Sequence, residues 1–177
     1  MAEYKMVFAG FGGQGILFLG KVCAYAGLME GKEVSWLPSY GPEMRGGTAN
    51  CSVCLSDEPI ASPLVTAPNV LIAMNRPSFD KFIGTVTPGG IVIVDSTLVD
   101  VQCDRTDIKI FSVPATEMAE EHSLKGLANI ILLGKLFKET HLVSIEGLEK
   151  GIAKSVPARK QNLVPLNLKA IELGAQQ

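Results

Sequence analysis

Short, unbroken apolar runs alternate along the chain with longer stretches in which apolar residues recur every third or fourth position. The runs YKMVFAG (residues 4–10), VLIAMN (70–75), GGIVIVDS (89–96) and IKIFSVP (108–114) are bounded by glycine, proline or asparagine, which suits strands covered on both faces. EVSWL (33–37) reads as a further strand. From Ile16 to Met29 the spacing changes. Ile16, Leu19, Gly20, Cys23, Ala24, Gly27 and Leu28 fall on one face of a helix, and the small residues among them let that helix lie close against a sheet. Gly31 stands where the helix ends. RPSFDKFIGTV, PATEMAEEH opening at Pro114, GLANIILLGKLFKET, SIEGLEKGIAKSV and NLVPLNLKAIELG read as further helices.

Strands alternating with helices place the chain in the α/β class, with helices on both faces of a sheet. The expectation is a single domain over residues 1–177, a three-layer α/β/α arrangement with a mixed, mostly parallel sheet and a Rossmann-like opening βαβ unit. One segment departs from the parallel rule. TANCSVCLSD (48–57) alternates with one wetter face and arrives through the loop PSYGPEMRGG rather than a helix, which predicts an antiparallel strand. EPIASPLVTAPN is a second proline-punctuated connection.

Composition narrows the range of functions. Hydrophobic residues make up 47% of the chain and charged residues 19%, apolar enough to suggest a surface covered by partners. A net charge of -2 with scattered lysines and arginines gives no basic field for nucleic acid. No run reaches the roughly 18 apolar residues of a membrane span, and MAEYK opens no signal peptide, so the expected location is the cytoplasm, without membrane contact. Cys51 and Cys54 form C-x-x-C, but inside a strand they point to opposite faces and chelate one ion poorly. With Cys23 and Cys103 they read as structural thiols, and His122 and His141 as surface or helix-end residues.

Two glycine loops carry the candidate chemistry. Gly10, Gly12 and Gly15 satisfy the G-x-G-x-x-G spacing. A nicotinamide site also needs an acid at the end of the second strand, and that strand ends WLPSY. A P-loop needs Ser or Thr where Val22 stands. What survives is an anion site made of backbone N–H groups at a helix N-terminus, freed by Gly12, Gly13 and Gly15, with Gln14 adding amide donors. The other reading of the same glycines is a tight turn with close helix-to-strand packing. In the second loop Tyr40, Gly41, Glu43, Arg45, Gly46 and Gly47 lie together. There Arg45 can grip a phosphate or carboxylate bidentately, or pair with Glu43 on a surface turn. Asn75 and Ser96 close strands at the end where ligands bind in such sheets.

GFGGQGILFLGKVCAYAG followed by PSYGPEMRGGTANCSVCLSDEPIASP closely resembles the gamma subunit, or gamma domain, of the 2-oxoacid:ferredoxin oxidoreductases, and GLANIILLGKL is similar to that family's later apolar helix. The resemblance implies an oxidative decarboxylation of a 2-oxoacid, read here as 2-oxoglutarate with pyruvate and 2-oxoisovalerate open. It also implies thiamine diphosphate with Mg2+, iron-sulfur clusters, coenzyme A as acyl acceptor and ferredoxin as electron acceptor. None of these cofactors is expected to bind this chain alone; alpha and beta subunits, and a ferredoxin-like delta subunit, are the implied partners. Carried over, Gly10, Gly12, Gly13, Gln14 and Gly15 form a phosphate-facing or interface turn, and Tyr40, Gly41, Glu43, Arg45, Gly46 and Gly47 the loop facing it. No catalytic residue or metal ligand is assigned. A stand-alone nucleotide-binding or redox-sensing module and a purely structural subunit are the competing readings.

Overall fold

The computed structural model describes residues 3–39 and 48–177. Strand β1 (Tyr4–Phe11) leads into helix α1 (Ile16–Met29), then β2 (Glu33–Ser39), β3 (Thr48–Ser56) and β4 (Val70–Ala73). Helix α2 (Arg76–Phe82), β5 (Ile91–Asp95), β6 (Lys109–Val113), α3 (Ala115–Glu121), α4 (Ala128–Thr140), α5 (Ile145–Ser155) and α6 (Val164–Ala175) complete the order. All six strands join one sheet in the order β2-β3-β1-β4-β5-β6.

Only β3 runs against the others. It pairs antiparallel with β1, Tyr4 opposite Leu55 and Phe11 opposite Thr48, and with β2, Glu33 opposite Ser56 and Ser39 opposite Asn50. The remaining pairs, β1 with β4, β4 with β5 and β5 with β6, are parallel. The opening βαβ unit therefore differs from a nicotinamide-binding one. Its two strands are parallel but not neighbours, because β3 is inserted between them.

Side chains alternate across the sheet as a strand period of two requires. Met6 and Phe8 of β1 face one core with Ile72 and Ile93, whereas Val7 and Ala9 face the other with Leu71, Ala73, Val92 and Val94. The first core lies under α1, α3, α4, α5 and α6. The second is thinner, closed by Phe79 of α2 and by loop residues such as Val65 and Val99. The alternation also separates the C-x-x-C cysteines: Cys51 joins the first core with Val53 and Leu55, and Cys54 does not. One expected core residue is outside. Leu28 is 52% exposed, because it lies beside Val34 and Trp36 on the outer side of β2, where the sheet ends.

Helix contacts depend on missing side chains and on two polar clasps. At the α4–α6 crossing, a Cβ on Gly174 would collide with the Ile131 carbonyl, and one on Gly134 with the Ile171 carbonyl. The Glu30 carboxylate at the end of α1 accepts the Ser144 N–H at 2.5 Å, and Ser144 Oγ accepts the Gly147 N–H at 3.0 Å, so α5 is capped partly from α1. Lys135 is buried at the α4–α6 side, donating to Glu139 Oε1 and the Gln177 carbonyl, each at 2.7 Å, with its Nζ 4.5 Å from the Phe111 ring centre.

Two predictions concern stability. Gly174→Ala lowers the unfolding free energy by about 3 kcal/mol in urea titrations, because backbone on both helices must move, while Gly84→Ala, with open space around it, stays within about 0.5 kcal/mol of the parent. The second concerns alkaline pH. Burial pushes the Cys51 thiol up to about 12, against hydrogen bonds from Trp36 and the Gly20 backbone that lower it. Burial, with Cys51 beside it, raises Cys23 as well. An unfolded thiol ionises near 9.0. Stability is therefore unaffected by these groups below pH 9 and falls as pH rises toward 12, by about 1.4 kcal/mol per pH unit for each thiol. Denaturation measured between pH 8 and pH 10 gives a shallower decline for Cys51→Ala than for the parent.

Candidate functional site

The site begins where β1 runs out of side chains. At Gly10 a Cβ would stand 2.6 Å from Gln14 Oε1 and 3.1 Å from Met74 Cβ, so strand, loop and β4 meet there only because the residue is bare. The chain then turns back, with the Gln14 N–H donating to the Phe11 carbonyl at 3.2 Å. Gly13 adopts φ +96° with nothing near its missing Cβ, which assigns that glycine to backbone conformation. Gly12 is exposed at the tip.

Gln14 fastens the turn. Its Oε1 accepts the Phe11 N–H at 2.6 Å, and its Nε2 donates to the Met74 carbonyl at 3.1 Å. One amide hydrogen remains for any ligand, fewer than the sequence reading allowed. The reason is the parallel pairing of β1 with β4, which brings Met74 alongside.

Gly15 closes the turn at φ +76° and opens α1. Its carbonyl accepts both the Leu19 N–H and Asn129 Nδ2, each at 2.9 Å. Asn129 is buried on α4 and stands 2.5 Å from where a Gly15 Cβ would be. Asn129 Oδ1 also accepts the Ile130 N–H at 2.9 Å. Among the described residues no side chain caps α1, no acid stands in its first turn, and its first N–H groups have no side-chain acceptor. Both readings of the glycines coexist: Gly10 and Gly15 are needed for close packing, and the same turn leaves a helix N-terminus bare.

A cleft of about 270 Å³ opens beside this turn, lined by Gly13, Gln14, Met74, Leu98, Glu120 and Lys125 among others. It lies over the carboxyl ends of β1, β4 and β5, where α1 leaves on one face of the sheet and α2 on the other, the switch point at which such sheets bind ligands. The far wall is held by the fully buried Asp95. Its carboxylate accepts from Thr116 Oγ1 at 2.5 Å, the Thr97 N–H at 3.2 Å and the Thr116 N–H at 3.3 Å. Asn129 and Asp95 escaped the sequence reading as anchors. Their signal was a polar side chain inside or closing an apolar run, ANIILL and IVIVD.

Tyr40, Gly41, Glu43, Arg45, Gly46 and Gly47 lie outside the described residues. The residues flanking them are informative. Thr48 pairs with Phe11 and Ser39 with Asn50, so both flanks leave the sheet at the end where the glycine turn sits. Asn75 caps α2 by accepting the Ser78 N–H at 2.8 Å, while its Nδ2 and Ser78 Oγ are buried without a partner among the described residues. Ser96 is exposed and donates its N–H to the Val113 carbonyl. His122 and His141 are exposed residues at the ends of α3 and α4. Among the described residues no group of three or more His, Cys, Asp or Glu is placed to hold a metal ion. No helix there is long and apolar enough to cross a membrane.

Comparison with known proteins fits this geometry. Residues 5–177 match the family model for pyruvate ferredoxin/flavodoxin oxidoreductase. The 2-oxoglutarate synthase subunit KorC of Methanocaldococcus jannaschii is 41% identical over 152 residues, covering 84% of this chain and 81% of its own. The ketoisovalerate oxidoreductase subunit VorA of Methanothermobacter marburgensis is 40% identical over 177 residues, 98% of this chain, which spans only 36% of that relative's length. Among solved structures, the gamma subunit of the keto/oxoacid ferredoxin oxidoreductase from Geobacter sulfurreducens superposes with a TM-score of 0.83 at 31% identity, covering 98% of this chain and 96% of that one. The chain belongs to the pyruvate ferredoxin/flavodoxin oxidoreductase family, as its two glycine loops imply.

Proposed function

We propose that the chain is the gamma subunit of a multi-subunit 2-oxoacid:ferredoxin oxidoreductase and that its glycine turn, with the loop at 40–47, completes the coenzyme A site of that enzyme. The observation that carries this reading is the N-terminus of α1, uncapped among the described residues, which follows directly on Gly13 and Gln14 at the wall of a cleft on the switch point of the sheet. Backbone N–H groups so placed suit a phosphate, and Lys125 on the cleft wall adds positive charge. Arg45 of the second loop carries a guanidinium, a group suited to bidentate phosphate contact.

Coenzyme A fits these groups and brings the thiol that takes the acyl product. For thiamine diphosphate with its Mg2+ and for iron-sulfur clusters, the described residues offer no metal-ligand set and hold Cys51 and Cys54 on opposite faces of the sheet. We assign them to alpha and beta chains and to a ferredoxin-like delta chain, with ferredoxin receiving the electrons in the cytoplasm. For the substrate we infer 2-oxoglutarate. The KorC relative aligns over 81% of its own length, whereas VorA, named for ketoisovalerate, is matched over 36%. A purely structural subunit is the second reading, favoured by the packing roles of Gly10 and Gly15.

Reconstitution separates the two. With its partner chains the complex oxidises 2-oxoglutarate in a coenzyme A-dependent manner, and the isolated chain does not; turnover by the isolated chain would refute the assignment. Arg45→Ala raises the KM for coenzyme A by roughly 10-fold or more while the complex still assembles, the scale of one lost charge-assisted hydrogen bond. An unchanged KM assigns the loop to packing alone. Calorimetric titration of the purified chain with NADH, FAD or ATP gives no binding, and tight binding of any of them would favour a stand-alone nucleotide module.

A further inference from the structure

Strand β2 ends the sheet and pairs with β3 alone. Pro38 indicates which of its groups face outward. Proline has no N–H to give a neighbour, and in an edge strand its nitrogen is directed away from the paired side. Antiparallel ladders alternate inward and outward groups. Glu33, Ser35, Leu37 and Ser39 therefore bond toward β3, while Val34, Trp36 and Pro38 direct their backbone groups to the open edge. Among the described residues no backbone acceptor takes the outward N–H groups of Val34 and Trp36.

The edge is also apolar on both faces. Trp36 is 36% exposed and its sequence neighbour Leu37 is 40% exposed. On one face Val34 and Trp36 line a shallow hollow of about 240 Å³ with Lys21, Ala24, Tyr25 and Leu28 of α1. Lys21, Tyr25 and Leu28 follow one another at helical spacing, so they run as a stripe beside the strand. On the other face Leu37 lines a hollow with Leu64, which is 63% exposed. Native edges are usually blunted by charge or covered; this one carries an exposed tryptophan and leucine in its middle.

We propose that this edge pairs with the same edge of a second copy of the chain, joining two sheets into one across a two-fold axis at Ser35. The strand is its own complement in that register. Val34 faces Trp36 of the other copy and Trp36 faces its Val34, so every outward N–H and C=O of these two residues is satisfied. A register centred on Trp36 sets Val34 against Pro38 and leaves the Val34 carbonyl without a donor. In the Ser35 register Val34 of each copy stands on the α1 side against Trp36 of the other, whose indole rests over Gly20 of its own chain, with Tyr25 and Leu28 alongside. The charges do not collide: Glu33 meets Leu37, and Lys32 meets Pro38. Such self-matching is what an isologous two-fold interface requires. The antiparallel seam directs the two glycine turns to opposite edges of the joined sheet, and none of the cleft-lining residues belongs to β2, so the cleft stays open.

Sedimentation velocity of the full chain tests the proposal. The parent forms a concentration-dependent dimer and Val34→Lys, which sets a charge in the seam, sediments as a monomer. In hydrogen exchange, protection of the Val34 and Trp36 amides rises with concentration while that of Leu37 does not. In a Cys54→Ser, Cys103→Ser background, which removes the free thiol paired with position 35, Ser35→Cys forms an interchain disulfide under mild oxidation and Leu37→Cys does not. Directly opposed residues of a non-hydrogen-bonded pair stand about 4.5 Å apart at Cα, within disulfide reach. A parent that is monomeric at all concentrations, a dimer that survives Val34→Lys, or a Ser35→Cys chain that stays single overturns it. So does protection of the Val34 and Trp36 amides by partner subunits with none by the chain itself.

Discussion

One hydrogen bond, from Asn129 Nδ2 to the carbonyl of Gly15, joins residues 114 positions apart and sets where α1 begins. Gly15 has to be bare because the amide occupies the place of its Cβ, and it has to take positive φ because the chain turns there from strand to helix. Once that carbonyl is fixed, the first turn of α1 is fixed with it. Gln14 completes the restraint from the other side by holding the Met74 carbonyl at the end of β4. The turn is thus tied to the first strand, to its parallel neighbour and to a helix late in the chain. A backbone site held at three points loses little further freedom when a ligand arrives, which is the condition for strong use of weak dipoles.

The inserted strand gives that turn a neighbour. Strand β3 lies between β2 and β1. With β3 between them, the chain leaves at Ser39 and returns at Thr48, directly opposite Phe11. The antiparallel reversal is therefore what sets the flanks of the second glycine loop against the first. It also moves β2 to the rim, with one side of the strand unpaired by β3. A single topological choice produces both the juxtaposed loops and the exposed edge.

Much of this was legible in the sequence because it is local. The three-and-four spacing from Ile16 to Met29 marked α1 at its observed ends, and the alternation in TANCSVCLS marked β3 as the reversed strand. What local spacing does not carry is adjacency. That β3 divides β1 from β2, that Gln14 reaches Met74, and that Asn129 reaches Gly15 all depend on partners at least one element away. Leu28 shows the same limit: helical periodicity puts it on the buried face, but burial needs a sheet beneath, and the sheet stops at β2. The glycine pattern suggested a dinucleotide fold until the acid missing after EVSWL removed the ribose anchor. The strand order supplies the deeper reason, since the two strands that would build that site are not neighbours.

The division of labour proposed for the enzyme follows from what the turn is made of. Its donors are peptide N–H groups, which neither titrate nor transfer protons, and the buried acid nearby, Asp95, is engaged in holding the start of α3. Such a surface can hold an anion and fix its orientation, and among the described residues the titratable side chains on the cleft wall are Glu120 and Lys125. In the proposed function the redox chemistry is left to cofactors on other chains, and what this chain contributes is a rigidly presented cleft. Hence the value of a buried asparagine in the first turn of an apolar helix: its cost in desolvation is offset by two hydrogen bonds, and what it secures is the position of the glycine turn.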